Sequence, residues 1–389
     1  MAACQSALTD TDLPAHLLDR PLHPTALAIA AGRHGLEGVV HRLLRHDPRL
    51  PQQDRDLLDG AWRDQMALQL CLAVDLATVA RCLDGLRYAV VKGPALADTV
   101  YPRNDLRTYS DLDTLVDRRQ FGEALTRLTD AGAVVVDRNW PLVQASMRGE
   151  HTLILPFGTV LDLHWHLLTE RRWRTAFQYE SAQVLDRLGT GVVSGSRVGL
   201  LHPTDTLIHL CTHAVLSGGH KLLWWLDVAA QVRHGRPDWD DVVATSRRQG
   251  LGLVTNVMLD RVERLLRPGV PPEAVSALSA GSRAWASTVH ALDATRPAAR
   301  TSTRPLTGQV LVRSTRQDTR ASVAELGRAL RDDVWTPLRK GQIGPRRGRE
   351  DTSGSVRQAQ TNPLHEDVPD VAAQAAYLAC LRDAEYDPV

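Results

Sequence analysis

Apolar residues recur every three or four positions through the first part of the chain. The pattern is clear in HPTALAIAAGRHGLEGVVHRLLRHD and in QDRDLLDGAWRDQMALQLCLAVDLATVARCLDGL, where Gly85 provides a helix stop. Such spacing places the apolar side chains on one face of a helix. We therefore predict a helical region over residues 1–87.

The pattern changes between residues 88 and 169. Short apolar or alternating runs that end in turn signals predict strands in RYAVVKG, LRTYSDLDTLVD, AVVVD and HTLILPFGTVLDLHWHL, the last being two strands joined by the turn PFG. The segment RRQFGEALTRLTDAG, which lies between the second and third of these strands, predicts an amphipathic helix. This order predicts an α+β protein whose small mixed β-sheet core is flanked by N- and C-terminal helical regions.

Three regions follow the predicted core. Helical spacing returns over residues 170–290. Residues 291–365 are rich in Arg, Pro, Gly, Ser and Thr, which predicts a weakly structured region or linker. Residues 366–389 contain one further candidate helix, in EDVPDVAAQAAYLACLRDAE.

Composition narrows the class of protein. A chain of 389 residues with 43% hydrophobic residues, 23% charged residues and a net charge of +1 is typical of a soluble globular protein of two or three domains. The net charge near zero gives no support for bulk nucleic-acid binding, although the basic segment 339–349 leaves RNA as an alternative binding partner. The N-terminal segment lacks a basic region followed by an apolar core, so we do not expect it to be a signal peptide, and no apolar run approaches the roughly 18 residues of a membrane span.

The cysteines agree with an intracellular protein. Cys4, Cys71, Cys82, Cys211 and Cys380 are scattered, and no CxxC motif occurs. We expect reduced, mostly buried thiols and a cytoplasmic location, without a membrane partner.

Two aspartates share one face of a predicted strand. In TYSDLDTLVD, Asp111 and Asp113 project together while Leu112 points to the opposite face. Two ionised carboxylates this close repel each other, and a divalent cation such as Mg²⁺ relieves the repulsion. A solvated strand edge is the alternative interpretation of a DxD pattern on its own.

Two further segments add candidate ligands. VVKG delivers Lys92 and Gly93 to a turn before a predicted helix, where phosphate can bind; an ordinary turn with an exposed lysine is the alternative. TVLDLHWHL places Asp162, His164 and His166 on one strand face. Asp162 is either a third metal-binding carboxylate or a salt-bridged residue on an edge strand.

Together these segments resemble a known family. The order of glycine turn, DxD strand and later acidic strand resembles the polymerase-β-like nucleotidyltransferase superfamily. VVKGPALADTVYPRNDLRTYSDLDTLVD, LDLHWHL and HLCTHAVLSGGHKLLWWLDVAA resemble more closely a bacterial nucleotidyltransferase family with a KG turn, over roughly residues 20–290. The Gly-Ser turn of the superfamily is replaced here by Lys92-Gly93, so the phosphate-binding serine is absent.

The resemblance implies roles for the acids and the turn. Asp111, Asp113 and Asp162 would be catalytic and would bind two Mg²⁺ ions, with Mn²⁺ as the alternative ion. Lys92 and the Gly93 amide would contact the phosphates of an NTP, with ATP favoured.

Neighbouring residues are secondary candidates. Ser110 and Arg107 are nucleotide-binding candidates beside the acids; Arg107 is alternatively a structural partner of Asp105 or of the helix that follows. His164 would contact the acceptor or orient an acid, and a packed strand histidine is the alternative.

The later helices would cover the nucleotide. Lys221 is a candidate for phosphate. His213, one helical turn after His209, is a candidate pocket residue, favoured over a zinc ligand because no HExxH motif is present. One of Trp224 and Trp225 is expected in the core.

Two classes of function fit this sequence. The leading hypothesis is a Mg²⁺-dependent nucleotidyltransferase that moves an NMP, AMP favoured, to a hydroxyl or similar acceptor on a small molecule, peptide or protein. A role in natural-product biosynthesis follows from the resemblance alone. The alternative is a non-catalytic scaffold or antitoxin-like partner with the same fold. Phosphotransferase or nucleotide-hydrolase chemistry at the same metal site is a third possibility.

Overall fold

The chain forms two compact units, each assembled from separate stretches of sequence. The computed structural model describes residues 2–11, 24–48, 50–295, 307–331 and 362–383. We call Met1–Asp59, Val100–Pro102 and Pro203–Asp351 the helical unit, and Gly60–Thr99, Arg103–His202 and Thr352–Val389 the sheet unit.

Helices form the regular structure that is described in the helical unit. The N-terminal helices agree with the helical pattern of residues 1–87, and the later ones with that of residues 203–290. The helices are α1 (Ala2–Thr9), α2 (Pro24–His34), α3 (Glu37–Leu44), the first turns of α4 (Gln52–Cys82), α10 (Pro203–Leu216), α11 (Leu222–His234), α12 (Trp239–Arg248), α13 (Gly252–Leu266), α14 (Pro272–Leu278), α15 (Arg283–Thr295), α16 (Thr307–Arg313) and α17 (Thr319–Leu330).

A seven-stranded mixed sheet forms the centre of the sheet unit. Its strands are β1 (Tyr88–Val91), β2 (Asp111–Val116), β3 (Val134–Val135), β4 (Glu150–Ile154), β5 (Val160–His164), β6 (Gly189–Val193) and β7 (Ser196–Leu200). They are arranged in the order β3-β4-β5-β2-β1-β7-β6. Strands β2 and β5 are parallel, as are β1 and β7, whereas the other neighbours are antiparallel. The predicted α+β class with a mixed sheet is confirmed.

Helices of the sheet unit pack on the apolar side of this sheet. The helices of the unit are most of α4, α5 (Gly93–Thr99), α6 (Phe121–Asp130), α7 (Trp140–Ser146), α8 (Arg171–Arg174), α9 (Ser181–Leu185) and α18 (Val371–Arg382). Leu76 of α4, Phe121 of α6 and Tyr377 of α18 are fully buried with Leu112 and Leu161 of the sheet in one core. The apolar faces of these three helices therefore contact the same strands.

The hairpin β6–β7 corrects the interpretation of residues 170–290 as helical. Its strands pair from Gly189↔Leu200 to Val193↔Ser196. The turn is made by Ser194 and Gly195, both with positive φ, as a tight two-residue hairpin turn requires. Thr190 and Val192 are exposed, so the run lacks the apolar contrast of a core strand.

The C-terminal candidate helix is α18, and it belongs to the sheet unit. The Tyr377 hydroxyl accepts a hydrogen bond from Trp165 Nε1 at 2.8 Å and donates one to the Arg148 carbonyl at 3.3 Å. Within the region predicted to be weakly structured, α16 and α17 are regular helices; most of the predicted linker over 339–363 lies outside the described residues. The core of the sheet unit thus includes a helix from far along the chain.

By length and composition alone, helix α4 could cross a membrane: the mean hydropathy reaches 1.2 over a stretch of 18 residues, of which 22% are buried. A single helix of this kind is weak evidence for a membrane span, because core helices of soluble proteins have the same properties. Leu72, Leu76 and Val79 pack in the core of the sheet unit, and the buried Asp75 carboxylate accepts hydrogen bonds from the Phe157 and Thr159 amides at 3.2 Å. The core contacts account for Leu72, Leu76 and Val79, whereas Leu70 and Val74 of the same segment are exposed.

All five cysteines are free thiols. Cys4 and Cys211 are buried, as expected. Burial raises the pKa of both, the Cys4 pKa despite the opposing charge of the chain's N-terminus. Cys71 is exposed on α4, so the expectation of burial is wrong there, because its apolar neighbours share the solvent side of the helix.

Candidate functional site

The two central parallel strands separate charge from apolar packing. Asp113 of β2 lies directly opposite Asp162 of β5. Since side chains alternate along a strand, Asp111 projects on the same side as Asp113. Leu112 and Leu161 point the other way into the core, where they are fully buried. We call the side with Asp111, Asp113 and Asp162 the acidic face and the opposite side the apolar face.

Strand β4 adds two polar residues to the acidic face. The register pairs Thr152 with Asp162 and Glu150 with His164, so all four side chains lie on that face. Thr152 Oγ1 donates a hydrogen bond of 3.0 Å to Asp162 Oδ1. A fourth carboxylate, that of Glu150, therefore lies close to the three aspartates.

Lys92 brings a positive charge to the acids. Its Nζ lies 2.9 Å from Asp113 Oδ1. Burial favours the neutral amine, but the attraction of Asp113, Asp111 and Asp162 outweighs it and raises the Lys92 pKa. The ammonium therefore stays charged at neutral pH and is held by the whole acidic face.

The turn that presents Lys92 has an unusual backbone. Lys92 has φ +52° and Gly93 has φ +38°, in the left-handed region that residues with a Cβ rarely adopt. A Cβ on Gly93 would also lie 3.4 Å from the Asp111 carbonyl oxygen. The following helix, α5, has only seven residues, so the phosphate-binding potential of the turn lies mainly in the Lys92 ammonium.

A chain of contacts extends from Asp113 across the sheet. His164 Nε2 lies 3.1 Å from Asp113 Oδ1, and His164 Nδ1 lies 3.4 Å from Glu150 Oε2. Arg148 Nε donates to Glu150 Oε1 at 3.0 Å. Burial disfavours the Asp113 carboxylate, yet Lys92 and His164 together hold its pKa far below the usual range. Asp113 is therefore ionised and fixed from two sides.

Asp162 has the opposite electrostatic environment. Burial, followed by repulsion from Glu150, Asp113 and Asp111, raises its pKa well above the usual value, and the hydrogen bond from Thr152 only partly offsets this. Negative charge at Asp162 is thus costly. A bound cation would relieve that cost.

The loop before β2 is tied to helix α4. Gln65 Nε2 donates to the Tyr109 carbonyl at 2.8 Å, and Gln69 Nε2 donates to the Arg107 carbonyl at 3.1 Å. The Arg107 side chain is buried, and Ser110 is half-buried directly before Asp111. Both residues are therefore adjacent in sequence to the acidic face and held in a defined loop.

Asp105, the alternative partner suggested for Arg107, forms an ion pair with Arg103. Arg103 Nε and Nη2 donate to the two carboxylate oxygens of Asp105 at 3.0 and 2.8 Å. The nucleotide-binding interpretation of Arg107 remains a prediction.

Lys221 and His213 belong to the helical unit, whereas the acids belong to the sheet unit. Trp224 is half-buried there, with the Lys221 ammonium 5.4 Å from the centre of its ring and the ring centres of His213 and His220 at 5.4 and 5.1 Å. The rings of His209 and His213 are 6.2 Å apart. These contacts define a local aromatic and cationic cluster, and its proposed role in binding nucleotide remains a prediction.

The neighbouring residues of α11 are structural. Trp225 is fully buried and donates from Nε1 to the Gly219 carbonyl at 2.9 Å. Asp227 is buried and accepts a hydrogen bond from the Tyr101 hydroxyl at 2.7 Å. Of the two tryptophans, Trp225 is therefore the core residue, and the hydrogen bond of Asp227 is structural.

The acidic face suits a hard divalent cation in the type of its donors. Asp111, Asp113 and Asp162 supply carboxylate oxygens, the ligands that Mg²⁺ prefers; burial, followed by repulsion from the neighbouring acids, raises the pKa of Asp162. Across the residues that the structure describes, no three acidic, histidine or cysteine side chains are already gathered as a metal-binding group. Binding would therefore require the carboxylates to turn toward the ion.

Sequence reasoning missed Glu150 and Arg148. Glu150 lies at the start of β4, where a lone acid next to a histidine gives no motif. The predicted PFG turn was the signal that could have found Glu150. Because this turn joins β4 and β5 in a hairpin, the strand register places Glu150 opposite His164.

The mixed sheet carries three aspartates on one face, two of them directly opposite each other, with Lys92 against Asp113. Carboxylates grouped in this way suit metal-assisted chemistry on phosphates. Comparison with protein families makes the assignment specific. The sequence model described as "Uncharacterised nucleotidyltransferase" matches residues 21–267, more than half of the chain. The protein belongs to this nucleotidyltransferase family.

No curated protein and no solved structure matches the chain. Membership of this family therefore supports nucleotidyl transfer in general, without identifying the nucleotide or the acceptor.

Proposed function

We propose that this protein transfers an NMP, with AMP favoured, from an NTP to a hydroxyl or similar acceptor in a Mg²⁺-dependent reaction. The observation that carries the proposal is the direct pairing of Asp113 with Asp162, with Lys92 against Asp113 on the same face. Three carboxylates beside one buried ammonium suit a ligand that combines a cation with phosphate.

Each residue has a role in this proposal. Asp111 and Asp113 would hold metal together with the triphosphate, and Asp162 would hold metal beside the acceptor. As the carboxylate on the acceptor side, Asp162 would also take the proton of the acceptor hydroxyl. The acceptor oxygen attacks the α-phosphorus, the bond to the β-phosphate oxygen breaks, and pyrophosphate leaves.

When bound, one or two Mg²⁺ ions, or Mn²⁺ instead, would neutralise negative charge on the attacking and leaving oxygens. Lys92 contributes a charge to the β- or γ-phosphate. His164 contacts the same Asp113 oxygen as Lys92 does and so positions that carboxylate. Lys92 would orient the triphosphate before reaction, and such positioning supplies much of the catalytic power for phosphoryl chemistry.

The proposed acceptor is a small molecule, a peptide or a protein side chain, and natural-product tailoring is a setting that only the family resemblance suggests. The net charge of +1 gives little support for a large nucleic-acid footprint.

A labelling experiment tests the reaction. The protein is incubated with Mg²⁺, a candidate acceptor pool and ATP labelled at either the α- or the γ-phosphate. Transfer of the α-label with release of pyrophosphate is expected, and Asp113→Asn should abolish it. Thr114→Ser, which changes the neighbouring side chain on the apolar face, is the matched control.

The other outcomes identify competing functions. Transfer of the γ-label would indicate a phosphotransferase, and release of label to water alone a nucleotide hydrolase. An absence of nucleotide binding, measured by calorimetry with Mg·ATP, would favour the non-catalytic scaffold.

A further inference from the structure

Lys92 is bound by the same carboxylates that the proposed function assigns to Mg²⁺. Its Nζ lies 2.9 Å from Asp113 Oδ1, and Asp111 and Asp162 also attract its charge. Only 15% of the Lys92 side chain is exposed. The contact is therefore a largely desolvated ion pair, unlike a surface pair of little energetic consequence.

The backbone supports this placement of the ammonium. Lys92 holds φ +52° although it carries a Cβ, a conformation that persists when the surroundings over-determine it. The Lys92 carbonyl accepts a hydrogen bond from the Leu96 amide at 3.2 Å, which joins the turn to α5. The strained turn thus aims Lys92 at the acids rather than along the surface.

The Asp113 oxygen nearest Lys92 is already engaged twice. Oδ1 receives both Lys92 Nζ and His164 Nε2, at 2.9 and 3.1 Å, and a carboxylate oxygen has two lone pairs to offer. A Mg²⁺ ligand oxygen must lie about 2.0–2.1 Å from the ion. An ammonium this close would repel a divalent ion at the same oxygen.

We propose that Lys92 is an internal counter-ion that competes with the divalent cation for Asp113 and, when displaced, binds the triphosphate. The proposal rests on the proposed function. The four-carbon stem of lysine allows the ammonium to move between neighbouring partners. Metal alone then binds weakly, and metal and NTP bind with positive coupling, because the NTP offers the displaced ammonium a new partner.

Calorimetric titration with Mn²⁺ in the absence of nucleotide tests the competition. Lys92→Met removes the charge and keeps an unbranched side chain. We expect it to bind Mn²⁺ about tenfold more tightly than the wild type, a factor typical of one charge-assisted hydrogen bond. Equal or weaker binding by Lys92→Met would overturn the proposal.

Two variants separate direct competition from general electrostatics. Lys92→Arg keeps the charge and is expected to bind Mn²⁺ as weakly as the wild type. Arg87→Met removes one positive charge just before β1, where Arg87 pairs with Asp117 and Asp186 at the surface, and should leave Mn²⁺ affinity unchanged.

The effect of Lys92→Met should persist between 0.1 and about 0.5 M salt, since surface charge effects are screened over that range. An effect that salt removes would contradict direct competition.

A second titration measures the coupling. With a non-reacting NTP analogue present, the wild type should gain Mn²⁺ affinity by a larger factor than Lys92→Met does. An equal gain would show that Lys92 is not the coupling residue. The binding assays do not depend on turnover, so a protein that binds as expected but transfers no label refutes the proposed function and leaves this inference intact. If neither protein binds Mn²⁺, the metal site and the inference both fail.

The wild type provides a test that does not depend on the folding of Lys92→Met. Lysine occurs only at positions 92, 221 and 340, so NMR of ¹³Cε-labelled lysine gives few signals, and the Lys92→Arg spectrum assigns one of them. Mg²⁺ titrated alone should shift the Lys92 signal. A signal that stays unchanged at Mg²⁺ concentrations shown by calorimetry to saturate the protein would overturn the proposal.

Discussion

The two faces of β2 and β5 have opposite roles although they alternate residue by residue. Leu112 and Leu161 on the apolar face are fully buried in a single core. Asp113 and Asp162 on the acidic face lie opposite each other, and the raised pKa of Asp162 reflects burial and charge repulsion. The apolar face stabilises the sheet, whereas the acidic face concentrates negative charge, which the proposed cation would relieve. We therefore expect stability and function to be separable at adjacent positions.

The largest expected effect comes from Asp162→Asn on the acidic face. The amide keeps the shape of the side chain and an acceptor for Thr152 but removes a charge. We expect α-label transfer to fall by about 10³-fold, the scale on which a preorganised electrostatic group affects catalysis. The free energy of unfolding at pH 7, measured with urea, should rise or stay equal because repulsion from Glu150, Asp113 and Asp111 is relieved. Unchanged transfer would remove Asp162 from the site.

The reciprocal change is Leu161→Ala, one residue earlier and on the apolar face. Truncating this buried side chain leaves a cavity and should lower the free energy of unfolding by about 3 kcal/mol. Urea unfolding measures the loss, and label transfer per folded molecule should remain near the wild-type value. A loss of transfer as large as that of Asp162→Asn would show that the two faces are not separable.

The third prediction concerns a histidine on the apolar face. His151 is fully buried among Phe121, Trp140 and Tyr377. Burial lowers its pKa below the ordinary value of 6.5, although the Asp137 charge partly opposes the shift. The folded protein therefore binds fewer protons at His151 than the unfolded chain does once the pH falls below 6.5.

Stability from the neutral imidazole is complete above pH 6.5 and is lost as the pH falls toward the folded-state pKa. Each pKa unit between the two states is worth about 1.4 kcal/mol. His151→Phe should flatten the fall in unfolding free energy between pH 7 and 5, measured by urea titration. His46→Phe at an exposed position is the control, and an unaltered slope in His151→Phe would contradict this account.

The smallest expected effect comes from Tyr377→Phe in α18. The change removes the hydroxyl that joins Trp165 Nε1 to the Arg148 carbonyl, while Trp165 keeps its own 2.9 Å bond to that carbonyl. We expect a loss of about 1 kcal/mol in unfolding free energy, the net value of one buried hydrogen bond. Thermal or urea unfolding measures it. No loss would mean that α18 contributes through apolar contacts alone.

Local pattern predicted the elements around the acids well. The alternation of Asp111, Leu112 and Asp113 anticipated the two faces, and the apolar runs anticipated β1, β2, β4 and β5. It failed at β6–β7 because Gly189, Gly191 and Gly199 dilute the strand signal, and because exposed residues such as Val192 blur the alternation. The Ser-Gly turn was the available clue.

What the sequence could not predict depends on contacts between distant residues. The contact of Lys92 with Asp113 and that of His164 with Asp113 require the strand order of the finished sheet. The return of α18 to the sheet unit, beyond the matched range 21–267, has no local signature. The proposed ligand roles of Asp111, Asp113, Asp162 and Lys92 remain predictions.

The position of Tyr377 has a consequence during protein synthesis. Its contact with Trp165 spans 212 residues of sequence, and most of the helical unit is encoded between them. At a translation rate of about 5–20 residues per second, the ribosome needs at least about 10 s to pass from one partner to the other. During that interval the strands that carry the acids have emerged, while the apolar face still lacks α18. Until α18 is synthesised, part of the hydrophobic surface of the nascent sheet unit therefore stays uncovered.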